Sequence, residues 1–169
     1  MKKLFWLFGI VSLLWIGIIF MFSAKKGNDS AGESMTFLRW CCENTIDDFS
    51  TWSYEKQQAF IRRWNYPVRK LAHVTEYFML GVLLAGTWNL YRSRAGYGWM
   101  LPWIIGTVFA AFDEIHQWYV PGREAKITDV LIDSVGVLLG AYLITQCILV
   151  IRTSKASDRK IKKSFDNQS

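Results

Sequence analysis

The chain has 169 residues, a length for one domain, with 51% hydrophobic and 16% aromatic residues, nine of them Trp and eleven Phe. That aromatic load suits the interfacial belts of a membrane protein better than a small soluble domain. The net charge is +6, but Lys and Arg flank apolar runs and form no DNA-binding motif, so the basic balance points to a membrane surface and to no nucleic acid.

In chain order, Leu4 to Phe22 comes first, 19 residues without a charge. At ~1.5 Å per residue it covers ~28 Å, close to a ~30 Å hydrocarbon core. Lys2 and Lys3 precede it, but "MFSAKK" is a poor cleavage site, so an uncleaved anchor is expected rather than a signal peptide. The loop from Ser23 to Pro67 follows. "SAGES" offers a capping box of Ser30 with Glu33, and Ser34 is a further cap candidate. Met35, Leu38, Cys42, Ile46 and Phe49 then recur every three or four residues, which predicts an amphipathic helix on the outer face. A short helix is expected over Glu55 to Trp64, with "NYP" breaking it. Such a loop can be a lid or an interfacial brace, and the brace is the simpler reading.

Three further apolar segments follow, giving an all-α membrane protein with spans near 4–22, 68–91, 99–116 and 127–151, and a basic tail over 152–169 expected to be disordered. A soluble helical domain fits less well, because two runs of spanning length carry neither a charge nor a polar face. The second span opens with "VRKLAHVTEYFMLG", where Arg69, His73, Glu76 and Tyr77 share a helix face. The third closes with "FDEIHQ". Asp113, His116 and Gln117 share a face there, with Glu114 turned aside by about 100°. The fourth opens with Asp129 and Asp133, one turn apart. Gly136 and Gly140 continue the line as a surface that another helix can approach closely. Cys41, Cys42 and Cys147 form no metal pattern and read as small apolar residues.

Arg92 and Arg94 between the second and third spans, and Arg152, Lys155, Arg159, Lys160, Lys162 and Lys163 after the fourth, put both termini in the cytoplasm. Trp88, Tyr91, Tyr97, Trp99 and Trp103 then form an inner belt, and Trp64, Tyr66, Trp118 and Tyr119 an outer one. With four spans, chain order places all three polar clusters at one depth, in the outer leaflet. An Asp or Arg at mid-membrane costs ~2.5–3.5 kcal/mol, so such groups face inward and pair; near the interface they cost less. The clusters therefore point to one shared site. The structural alternative is a network in which Arg69 or Arg123 pairs with Glu76, Asp113 or Asp129 to lock the helices in register.

"RKLAHVTEYFMLGVLL", "DEIHQWYVPGRE" and "TDVLIDSVGVLLG" together resemble the VanZ-like family of small bacterial membrane proteins over about residues 67–143, and "FMFSAKKGNDS" is similar to it too. The matching positions are Arg69, Lys70, His73, Glu76 and Tyr77, then Asp113, Glu114, His116, Gln117, Gly122 and Arg123, then Asp129, Asp133, Gly136 and Gly140. Relatives often carry Asn where Asp133 stands. The resemblance implies a role in the cell envelope, and its founding member is linked to resistance to teicoplanin, a lipid-tailed glycopeptide. It supplies no established reaction.

Two functions from different classes fit these residues. In the first, Arg69, Lys70 and Arg123 make a basic rim that, with Tyr77, Gln117 and Asp133, binds a lipid-linked cell-wall intermediate, a phospholipid or a lipoglycopeptide. In the second, His73, Glu76, Asp113, Glu114, His116 and Asp129 serve acid–base or metal-assisted hydrolysis or transfer on a lipid-linked substrate. No zinc motif is complete and no particular cofactor is indicated. Ion or proton movement ranks last, because the inner halves of the spans offer only Thr87, Asn89, Thr107, Thr145 and Gln146.

Overall fold

A computed structural model describes residues 2–91 and 98–166. Arg92, Arg94 and Tyr97, used above for topology and for the inner belt, lie outside the described residues. Five helices account for most of the rest: α1 (Lys2–Ser23), α2 (Gly27–Thr45), α3 (Tyr54–Tyr91), α4 (Met100–Trp118) and α5 (Ile127–Asp166), with a 3-10 turn at Phe49–Thr51. Among the described residues there is no strand.

Two stretches are long and apolar enough to cross a membrane, Lys3–Ser23 with mean hydropathy 2.5 and Ile127–Arg159 with 2.1. Their apolar side chains are largely turned outward: Leu13 and Met21 on α1 are each 70% exposed, and Val150 on α5 is 66% exposed. A core helix of a soluble protein would bury such residues. The charged residues at the ends of α3 and α4 dilute their apolar runs.

α3 and α5 are parallel. Val74 lies against Gly136, Phe78 against Gly140, and Gly81 against the Val137 backbone. A Cβ on any of these three glycines would strike main-chain atoms of the facing helix, so only glycine permits this approach. α4 runs antiparallel to both. Trp103 Nε1 donates to Ser134 Oγ at 3.0 Å, Gly106 packs on Val137, and Tyr77 reaches back to Asp113. α1 is antiparallel to α3, with Phe8 on Gly86 and Trp15 Nε1 donating to the Glu76 carbonyl at 2.9 Å. Ile19, Tyr77, Leu80, Ala110 and Val137 form the core where these four helices meet.

A helix, α2, covers Met35, Leu38 and Cys42 of the stretch expected to be amphipathic and ends at Thr45, before Ile46 and Phe49. Its Leu38 and Cys42, with Phe49 from the turn, pack on Ile61 of α3, and Phe60 and Val68 flank them. Three expectations fail here. No side chain caps α2, which starts earlier, at Gly27. Glu33 pairs instead with Lys25 at 2.7 Å, and Ser34 Oγ lies 2.6 Å from Asn65 Oδ1, joining α2 to α3. "NYP" does not end a helix: α3 runs unbroken for 38 residues with Pro67 inside. Proline costs a helix interior ~3 kcal/mol. The α2 packing on Phe60, Ile61 and Val68, on both sides of Pro67, offsets that cost and holds the halves in line. Finally, the basic tail continues α5 to Asp166 instead of being disordered. Lys, Arg and Ala are good helix formers, and an existing helix lengthens without a new nucleation step.

Ala has the higher helix propensity by ~0.8–1.0 kcal/mol, yet Gly140→Ala is expected to lower the melting temperature in detergent by several degrees. Gly17→Ala, at a position facing open space, should leave it unchanged or raise it. Equal behaviour of the two variants would contradict the close α3–α5 contact.

Candidate functional site

The polar residues collect where α1 and α4 end, α5 begins and α3 passes its midpoint. The fully buried Tyr77 donates its hydroxyl to Asp113 Oδ2 at 3.2 Å, across from α3 to α4. Gln117 Nε2, one turn further along α4, donates to the same oxygen at 3.0 Å. Gln117 Oε1 in turn accepts from Arg123 Nη1 at 3.0 Å. The Arg123 guanidinium also donates from Nε to the Lys25 carbonyl and from Nη2 to the Phe22 carbonyl, both at 2.9 Å. One chain of hydrogen bonds thus runs from the core to the surface through α3, α4, the 119–126 loop and the end of α1. Its last step adds a side-chain donor to the Phe22 carbonyl, which also accepts the Lys25 N–H at 3.3 Å, and to the Lys25 carbonyl just beyond α1.

Backbone contact reinforces that clasp. Gly27 N–H donates to the Pro121 carbonyl at 3.1 Å. A Cβ on Gly27 would collide with the Gly122 carbonyl, and Gly122 itself sits at φ +76°, a conformation that favours glycine.

A second set joins α3, α4 and α5. Lys70 pairs with Asp129, both partly buried. Glu114 Oε1 accepts the Lys126 backbone N–H at 2.6 Å, placing a carboxylate at the start of α5, where the helix dipole favours it. Asp133 is buried beside them, in a hollow of about 10 Å³ shared with Lys70, Glu114 and Asp129. His73 Nδ1 lies 3.8 Å from Glu76 Oε2. His73 Nδ1 and Asp113 Oδ1 are buried with no hydrogen-bond partner.

Two larger cavities open here. One of about 620 Å³ lies between α2, α3 and the end of α1, with Phe22, Phe37, Val68 and Leu71 among its walls and Lys25, Arg69, His73, Glu76 and Arg123 at its polar side. The other, about 230 Å³, is lined by Tyr66, Lys70, Gln117, Glu124, Lys126 and Asp129 among others.

The structure therefore brings together Arg69, Lys70, His73, Glu76, Tyr77, Asp113, Glu114, Gln117, Arg123, Asp129 and Asp133. It leaves out His116, whose ring stacks on Phe20 of α1 at 4.4 Å between centroids. Glu114, turned about 100° round α4 from Asp113, is buried as well, because that flank of α4 packs against the start of α5. The lock expected from Arg69 or Arg123 on Glu76, Asp113 or Asp129 is made by Lys70 instead. Neither arginine forms an ion pair with a carboxylate among the described residues. Burial, then the neighbouring Arg69, push the Arg123 guanidinium below its usual pKa. Glu124 and Lys126 make an exposed pair at 2.9 Å, which pulls the carboxyl down and the ammonium up but adds little stability. Among the described residues no group of three or more His, Cys, Asp or Glu is placed to hold a metal ion.

Motif reading did not assign Lys25, the Phe22 and Lys25 carbonyls, or Gly27 to the site. Their signal was the stretch "FMFSAKKGNDS", whose role is to receive Arg123.

An all-helical bundle with outward-facing apolar helices and a charged site at one end defines the class as a small helical protein suited to a membrane. The chain belongs to the VanZ/LLP1 family, whose family model matches residues 8–151. No curated protein and no solved structure matches it.

The three-way grip of Arg123 needs a forked donor. Arg123→Lys is expected to destabilise the fold by ~1.5–3 kcal/mol, the range for hydrogen bonds to a charged group. Thermal unfolding in detergent checks this, and a melting temperature equal to that of the wild type would contradict the grip.

Proposed function

We propose that this protein crosses the bacterial cytoplasmic membrane four times and binds an anionic amphiphile at an outward-facing polar site. α1 and α5 are apolar enough to cross, and α4 and the later half of α3 lie alongside them in the same bundle. At ~1.5 Å per residue, the 19 residues of α4 cover ~28 Å, the thickness of the hydrocarbon core. Arg152, Lys155 and Arg159 near the opposite end of α5 support a cytoplasmic location for it, and with four crossings for both termini. α2 and the first half of α3 then brace the outer face.

The observation that carries the reading is the cavity of about 620 Å³, which joins apolar walls to Arg69 and Arg123. The Arg69 guanidinium, without a carboxylate partner among the described residues, suits a phosphate, which accepts two parallel hydrogen bonds, and Arg123, held by Gln117 and the α1 carbonyls, adds its charge. The side gap between α2 and α3, where Phe37 and Leu71 stand exposed, admits a tail from the bilayer. A lipid-linked cell-wall intermediate, a phospholipid or a lipoglycopeptide has this form. Holding such a molecule at the outer surface would change what teicoplanin reaches, and that is the route to a contribution to resistance.

A second reading, acid–base hydrolysis or transfer on a lipid-linked substrate, is favoured by His73 beside Glu76 and by the free oxygen of buried Asp113. Under binding alone, Glu76→Gln retains most function; under catalysis, Glu76→Gln or Asp113→Asn abolishes it in a folded protein.

Native mass spectrometry of the detergent-extracted protein should show a retained phosphate-bearing lipid, reduced about tenfold or more by Arg69→Ala. Absence of any lipid on the wild type, or equal retention by the variant, would contradict binding.

A further inference from the structure

The two cavities are not independent. Arg69, His73 and Arg123 line both, so the guanidinium pair stands in the wall between an apolar chamber and a polar one. Resting on the binding reading above, we infer that the ligand is an amphiphile whose internal phosphate or diphosphate joins an apolar tail to a neutral, polyhydroxylated head group.

The order of surfaces dictates the order of groups in the ligand. Phe22, Phe37, Val68 and Leu71 offer the larger chamber to a tail. The anion comes next, at Arg69 and Arg123. Both guanidinium groups line both chambers, Arg69 disfavours the charge on Arg123, and an anion between them would relieve that. The smaller chamber lies beyond, about 230 Å³, the scale of a sugar ring.

Apart from Arg69 and Arg123, which face the anion, the charged lining of this second chamber is balanced. Lys70 is paired with Asp129, and Lys126 with Glu124. Balanced pairs leave no net charge to recruit a cationic or an anionic head. The Tyr66 hydroxyl, the Lys70 and Lys126 ammonium groups and their paired carboxylates give interleaved donors and acceptors, which match hydroxyl groups. A lipid with a terminal phosphate would leave this chamber unused, and one with an ammonium head would carry its charge beside Arg69 and Arg123.

The test uses the full chain in detergent and three lipids with identical acyl chains: phosphatidic acid, phosphatidylethanolamine and phosphatidylinositol. Retention is read by native mass spectrometry in equimolar competition. Phosphatidylinositol is expected on the wild type on the order of tenfold over the other two, the effect of one or two added head-group hydrogen bonds. Tyr66 is exposed, so Tyr66→Ala does not endanger the fold. That variant should lower phosphatidylinositol toward the level of phosphatidic acid and leave phosphatidic acid unchanged. Arg69→Ala should lower phosphatidic acid and phosphatidylinositol alike. If phosphatidic acid or phosphatidylethanolamine equals phosphatidylinositol on the wild type while Arg69→Ala still lowers binding, the two-chamber assignment is overturned and the binding reading stands. If none of the three is retained, the binding reading falls with it.

Discussion

Backbone contact between α3 and α5 at Gly81, Gly136 and Gly140 sets the register on which the site depends. With no Cβ in the way, the two parallel helices meet main chain to main chain, and neither can slide without a clash. That register brings Lys70 beside Asp129 at the polar end. Partly buried charges held in register can compensate each other, whereas either alone would carry its desolvation cost. The same contact leaves the outer side of α3 free for α1 and α2, and so leaves room for the larger cavity.

Polarity is distributed unevenly along the bundle. At the far end, Asn89 donates to Thr145 Oγ1 at 3.0 Å, and Thr145 and Thr87 return their hydroxyls to their own helix backbones. Those groups are consumed internally and offer nothing to a ligand. At the near end, donors and acceptors remain available beside open volume. The clasp of Arg123 on the end of α1 gives that volume fixed walls, because one side chain ties the end of α1 to Gln117 at the end of α4. Pre-formed walls reduce the ordering cost of binding.

Much of this was legible in the residues. The helical spacing of Arg69, His73 and Glu76, which line one cavity, and that of Gly136 and Gly140, which face α3, need only local geometry. What the sequence could not convey depended on tertiary packing. Pro67 reads as a stop until α2 packs across it. Glu114 is turned aside from Asp113 on α4, and only the packing of the start of α5 against that flank brings it into the site. Ser30 and Glu33 read as a cap, but the chain enters α2 at Gly27, held there by Pro121 from 94 residues later in the sequence. His116 shares the spacing of the site residues, yet its ring is claimed by Phe20.

A charge-reversal cycle across the α3–α5 contact tests the central claim most directly. Lys70→Asp and Asp129→Lys, singly and together, are compared by thermal unfolding of the full chain in detergent. Each single change should destabilise the protein by placing like charges in contact, and the double change should recover stability, with a coupling within the ~0.5–3 kcal/mol seen for touching residues. A double variant whose loss equals the sum of the two single losses would contradict the account, because Lys70 and Asp129 would then not meet and the register that assembles the site would be wrong.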